Sequence, residues 1–181
     1  KGKKIGTPGL GAVLHVMARN WMLEQGVDPE GATFIEATFP THGDLLKSRT
    51  IDAVITVDPF MSRIKASGGV VQIADLVKTL PDGTTAQFFA STEAFAKANP
   101  AAVAAFRASI AEAVVFISKE PAATRTAIGK YLKLPPTVLE TIPLPRGSAT
   151  ISAGQLLWWA KVMERQKMLA SAFDPAKFVL N

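Results

Sequence analysis

The sequence predicts an α/β fold: a parallel-type sheet with flanking helices, followed by a mainly helical segment. Three observations carry that expectation. From Lys1 to Pro81, short β-branched runs alternate with single helical patterns, the arrangement that sets strands parallel with helices on the sheet faces. The stretch Lys3-Lys4-Ile5-Gly6-Thr7-Pro8-Gly9-Leu10-Gly11 reads as strand, glycine-rich turn and helix start. Beyond Pro81 nearly every segment is helical in character. The chain is therefore expected to divide into residues 1–81, an α/β half, and residues 82–181, one more short strand and helices.

Each element has its own signal. Lys4 to Thr7 is a short strand, and Gly11 to Gln25 is a helix with Leu14, Ala18, Trp21 and Met22 on one face and Gly26 as its stop. Thr33 to Phe39 is β-branched and aromatic, hence a strand. A short helix, Thr41 to Lys47, leads to a buried strand, Ala53 to Val57. Pro59 to Ser67 reads as a helix, with proline in the first turn where no intrahelical donor is lost. Val70 to Ile73 is expected as a last strand of this half, and Ala86 to Ala90 as one more after the turn Leu80-Pro81-Asp82-Gly83. Helix starts are then expected at Thr92, Asn99-Pro100, Glu120-Pro121, Leu134-Pro135-Pro136 and Ser148 to Ser152, with a terminal helix from Ala153 to Leu169.

Composition excludes several function classes. The 181 residues contain no cysteine, which removes disulfides, zinc–thiolate sites and a cysteine nucleophile. The net charge of +5 is scattered, and its one compact basic run, Lys1, Lys3 and Lys4, reads as a solvated strand end rather than a nucleic-acid surface. No segment is expected to span a bilayer, because Arg107 and Glu112 interrupt the alanine-rich stretch Pro100 to Ser118. His15 and His42 are the only histidines and lack a neighbouring carboxylate, so they read as structural; no metal and no cofactor is expected. Gly9 and Gly11 do not make a dinucleotide fingerprint, since Leu14 stands where a third glycine is needed and Glu36 lacks the right spacing. Trp158 and Trp159 cannot share one helix face, so one is expected to pack inward.

Two segments are placed to bind a ligand. A helix starting near Gly11 leaves its first amides unpaired at the positive end of the helix dipole, which favours an anion. Thr7 adds a hydroxyl, and Gly9, Leu10, Gly11 and Ala12 supply backbone amides. Asp58, at the end of a strand, is expected to cap the next helix or accept from a ligand amine, and Phe60 to wall an apolar part of the ligand or pack in the core. In open α/β sheets ligands sit beyond the carboxyl ends of the strands, where Thr7 and Asp58 both fall.

The strand-turn-helix at Lys1 to Gly11 and the segment Ile51-Asp52-Ala53 to Asp58-Pro59-Phe60 together resemble the C-terminal portion of the periplasmic solute-binding proteins of ABC importers for nitrate, sulfonates and taurine. The resemblance implies a type II periplasmic-binding-protein-like fold in which residues 1–81 are lobe two. Residues 82–181 would then be the return to lobe one, with Gln87-Phe88-Phe89-Ala90 as the returning strand and Phe88 a further ligand contact. It implies that the N-terminal half of lobe one is absent from this chain, which reads as a fragment without its leader. It implies a periplasmic or lipid-anchored, non-enzymatic protein that closes two lobes on a small anionic or zwitterionic solute and delivers it to ABC permease subunits. A thiamine-pyrimidine biosynthetic enzyme or precursor-binding protein of the same fold is the alternative. The fungal enzymes of that kind carry a cysteine-rich motif that this chain lacks. A ligand-sensing regulator domain is a third reading, for which no helix-turn-helix or coiled coil is present.

Overall fold

The computed structural model describes residues 2–132, 136–169, 171 and 173–180. Lys1 of the basic run and Leu134-Pro135 of one expected helix start lie outside these. Among the described residues there are three strands, β1 (Lys4–Thr7), β2 (Thr33–Glu36) and β3 (Ala53–Val54). The helices are α1 (Val13–Glu24), α2 (His42–Lys47), α3 (Phe60–Ala66), α4 (Glu93–Ala98), α5 (Pro100–Lys119), α6 (Pro121–Leu132), α7 (Pro136–Thr141) and α8 (Ala153–Arg165).

The sheet has the order β2-β1-β3, and both pairings are parallel, as the alternation of strand and helix predicts. Register places Thr7 opposite Glu36 and Gly6 opposite Val54. The crowding around β1 explains its glycine: a Cβ at Gly6 would lie 2.8 Å from Ile51 Cδ1 and 3.3 Å from Val54 Cγ2. At the amino edge, Asp52 ties β1 to β3. Its carboxylate accepts from the Lys4 amide and from Lys3 Nζ, each at 2.9 Å, and these bonds, the Lys3 one foremost, hold the carboxyl below the usual carboxylate range. Lys3 is thus paired, although the ion pair is exposed and of small energetic weight.

Four expected strands differ; the one expected over Ala53 to Val57 stops at Val54, and its two residues are half-buried. The run from Thr33 stops at Glu36, because Phe39-Pro40-Thr41 turns into a 3-10 helix before α2. Val70 to Ile73 and Ala86 to Ala90 form no strand: Val71 and Ile73 are 83% and 70% exposed, and Phe88 and Phe89 are 58% and 75% exposed. β-branched and aromatic composition makes a strand only where a neighbouring backbone completes the hydrogen-bond ladder, and neither edge of this sheet offers one to those segments.

Two compact units are present. The first joins the chain up to Ala86 to the segment from Ala153 onward; the second is Gln87–Ser152. This grouping differs from the expected division at Pro81, because α8 packs on α1. Val16, Met17, Trp159 and Val162 form a buried cluster, with Leu14, Leu76, Trp158 and Met163 against it. Polar contacts close the same seam. Trp159 Nε1 donates to the Thr85 carbonyl at 2.6 Å, Gln166 Nε2 to the Val16 carbonyl at 3.1 Å, and Arg165 to Asn20 Oδ1. Both tryptophans therefore meet the core, their rings edge to face at 4.7 Å. The buried face of α1 is also not the one expected: His15, Val16, Met17, Ala18 and Asn20 are buried, while Trp21 and Met22 are half-buried. This helix packs on two sides, His15 against Phe34 of β2 and Val16 and Met17 against α8, so its apolar arc is wider than one stripe.

The second unit holds α4 to α7. Arg125 Nη1 donates to the carbonyls of Leu139 and Ile142 at 2.5 and 2.7 Å, joining α6 to the end of α7. None of the residues of α5 is buried, and Phe106, Val115 and Phe116 are each about half exposed. By length and composition α5 is apolar enough to cross a membrane, contrary to the sequence expectation. Arg107 and Glu112 interrupt the run without taking it below that threshold.

The α1–α8 seam makes a direct prediction. Met17, 1% exposed, is a filler of that seam. Met17→Ala should lower unfolding free energy by about 2–5 kcal/mol, the usual range for such cavities. Urea unfolding followed by tryptophan fluorescence measures it; a loss under about 0.5 kcal/mol, the range of ordinary surface changes, would show that the seam does not stabilise the unit.

Candidate functional site

The carboxyl ends of the three strands open into Pro8–Ala12, Ala37–Thr41 and Ile55–Pro59. Because β1 lies between β2 and β3, these segments meet at one edge of the sheet, the place where open α/β sheets bind ligands. Thr7, Gly9, Leu10, Gly11, Ala12, Asp58 and Phe60 all belong to that edge. Phe88 belongs to the second unit.

The glycine turn has the left-handed backbone its sequence suggests: φ at Gly11 is +79°, a conformation that costs a β-carbon residue about 1–3 kcal/mol. The amides expected to be free are not. Leu10 N–H donates to Glu36 Oε1 at 2.8 Å, Gly11 N–H to His15 Nδ1 at 2.9 Å, and Ala12 N–H to the Gly9 carbonyl at 3.3 Å. The reason is geometric: parallel register sets Glu36 opposite Thr7, next to the turn, and His15 lies one helical turn beyond Gly11. Ala12 stands at the N-cap with no side-chain cap, so the amides left at the start of α1 are those of Val13, Leu14 and His15. Glu36 is the residue that sequence reasoning missed here. Its position at the last place of a strand, beside a glycine turn, was the available signal.

Asp58 caps. Its Oδ1 accepts from the Ser62 amide at 3.1 Å and from Ser62 Oγ at 2.5 Å, holding the first turn of α3; the Asp58–Pro59 bond is cis. Phe60 is half-buried and stacks on Phe39, ring centroids 5.4 Å apart and planes 11° from parallel. Phe39 in turn meets the edge of His42 at 5.5 Å. The two aromatic rings make an apolar wall at the same edge as Glu36 and Asp58. Thr7 is fully buried, and its Oγ1 has no hydrogen-bond partner among the described residues.

Both histidines are interior. His42 is fully buried, and its Nε2 donates to the Ala37 carbonyl at 2.8 Å, which leaves Nδ1 bare. His15 is 7% exposed; its Nδ1 accepts the Gly11 amide, so the proton sits on Nε2, which has no acceptor among the described residues. Burial holds both imidazoles below their ordinary value of 6.5. Arg19 lowers His15 further, while Glu30 and the Ala37 carbonyl oppose the respective shifts. His15 thus has its lone-pair nitrogen occupied, whereas that of His42, Nδ1, is buried. Among the described residues no group of three or more histidines and carboxylates is arranged to hold a metal.

Comparison with known proteins follows this geometry. A profile of the NMT1-like family matches residues 1–132. Among solved structures, the chain is similar to the periplasmic aliphatic sulphonate binding protein SsuA from Escherichia coli, at 17% identity and a TM-score of 0.74, with 99% of this chain covering 62% of that one. It is similar to the alkanesulfonate-binding protein SsuA from Xanthomonas axonopodis pv. citri bound to MOPS, at 18% identity and a TM-score of 0.78, covering 99% and 63%. A ligand-binding component of an ABC-type import system from Staphylococcus aureus with zinc bound gives 14% identity and a TM-score of 0.79, covering 99% and 62%. The fold is that of periplasmic binding proteins, and the chain spans less than two thirds of the length of these structures. No curated protein matches it in sequence.

The histidines predict a pH dependence. Both have folded-state values depressed below 6.5, so the unfolded chain binds more protons on the acid side. Stability should be level above pH ~7 and fall as pH drops through the window below about 6.5, where unfolded histidines charge and folded ones resist. Protonating His15 also removes the acceptor of the Gly11 amide. Urea midpoints measured from pH 8 to pH 5 should decline, and the decline should be shallower in a His42→Asn variant. Midpoints flat across that range would contradict the burial argument.

Proposed function

Because the chain belongs to the NMT1-like family, we propose that it is the larger part of a solute-binding component of an ABC importer. It captures a small sulfonate, taurine-like or nitrate-class solute outside the cytoplasmic membrane and hands it to permease subunits. The observation that carries this reading is the convergence of three βα segments on one sheet edge. There the start of α1 presents the Val13 and Leu14 amides, and Phe39 and Phe60 present an apolar wall. A solute with a compact anionic head and a short organic part is matched by that pair: dipole and amides for the head, ring faces for the rest.

The mechanism is binding, not bond chemistry. Three polar groups near the edge, His15 Nδ1, His42 Nε2 and the Asp58 carboxylate, are engaged inside the chain, which supports a binding role. In a two-lobed binding protein the solute favours the closed state only by making contacts that the open state lacks, and the population shifts accordingly. On this reading residues 1–81 provide the solute face of lobe two, and Phe88, in the second unit, is a separate candidate ligand residue. The exposed apolar face of α5 is then surface that a longer protein covers, rather than a membrane span; a span would place Arg107 and Glu112 in hydrocarbon.

The test is calorimetry on the full-length protein with taurine, short alkanesulfonates and nitrate. At least one should bind with micromolar affinity or better, and mass spectrometry should recover it unchanged. Phe60→Ala should weaken that binding about tenfold, or ~1.4 kcal/mol. No heat and no thermal shift with any of the panel, or conversion of a solute, would overturn the reading.

A further inference from the structure

We infer that Glu36 selects solutes that carry an ammonium group close to their anionic head, so the natural solute is a zwitterion rather than a simple anion. This rests on the solute-binding reading and narrows it. The observation is one of charge. From Thr7 to Ala12, Glu36 to Thr41 and Ile55 to Pro59, the segments at the carboxyl edge contain two carboxylates, Glu36 and Asp58, and no lysine or arginine. Positive character there comes only from amides at the start of α1, and those of Leu10, Gly11 and Ala12 are already used within the chain. His15 and His42 are held neutral by burial and add no charge. The nearest arginine along α1, Arg19, is bound to Glu30 and Gln166.

Glu36 is the exposed member of the two carboxylates, and Asp58 is engaged with Ser62. One oxygen of Glu36 accepts the Leu10 amide at 2.8 Å, which fixes the carboxylate beside the helix start. A simple anion at Val13 and Leu14 would therefore meet a fixed negative neighbour. A zwitterion places its anionic head on those amides and its ammonium toward Glu36, turning that repulsion into a charge-assisted hydrogen bond. Two buried groups adjoin the same turn: the Thr7 hydroxyl, without a partner among the described residues, and the His15 ring, which holds the Gly11 amide. The Phe39–Phe60 stack adds ring faces that suit an organic cation.

Taurine and ethanesulfonate differ by the amino group and make the probe pair. Glu36→Gln keeps an acceptor for the Leu10 amide and removes the charge, so the turn is retained; its thermal midpoint without solute should match wild type. In the full-length protein, wild type should bind taurine at least tenfold tighter than ethanesulfonate. Glu36→Gln should bind taurine about tenfold more weakly and ethanesulfonate equally or more tightly. As a check that needs no variant, raising salt should shrink the wild-type preference, because the ammonium contact is electrostatic. Equal wild-type affinities, or a Glu36→Gln variant that strengthens both probes alike, would overturn the inference while leaving solute binding standing. The second result would make Glu36 a mere occupant of the amide. Failure of wild type to bind either sulfonate would count against the underlying function and this inference together.

Discussion

The whole arrangement depends on β1 being the middle strand. Its backbone is shared between β2 and β3, and Ile51 and Val54 come so close that position 6 has no room for a β-carbon. Parallel pairing on both sides aligns the carboxyl ends of all three strands, so three separate connections open onto one edge. Asp52 secures the opposite, amino edge by taking the Lys4 amide and the Lys3 ammonium. The aspartate of the Ile51-Asp52-Ala53 segment is thus a strand tie, remote from the edge where Asp58 lies.

From that edge follows the character of the turn. A glycine-rich connection before a helix is commonly expected to offer open amides, yet here the chain supplies its own acceptors, Glu36 and His15. The turn is preorganised: its shape does not wait for a solute, and binding there does not have to order it. The cost is borne by buried polar atoms. Thr7 Oγ1, His15 Nε2 and His42 Nδ1 have no partner among the described residues, each a loss of about 1–3 kcal/mol relative to a satisfied group.

Much of the first half was legible in the sequence because its signals are local. Glycine and proline at Thr7 to Gly11 mark a turn, β-branched runs mark β1 and β3, and the capping preference of Asp58 before α3 is met by Ser62. The misreadings share one cause. Val70 to Ile73 and Ala86 to Ala90 have strand composition without a ladder to join. The buried face of α1 was misassigned because α8, far along the chain, covers a second side of it.

By itself, then, the sequence determined the alternation of strand and helix, the absence of thiol chemistry, and the two segments that meet at the carboxyl edge. These are properties of neighbouring residues and of composition. Only the tertiary structure decided what those segments offer. The contact between Leu10 and Glu36 spans twenty-six positions and exists because parallel register sets Glu36 beside Thr7. The return of α8 onto α1 crosses nearly the whole chain and moves the unit boundary from Pro81 to Ala86 and Ala153. Register and long-range packing are set by which surfaces bury one another, and no local pattern records that choice.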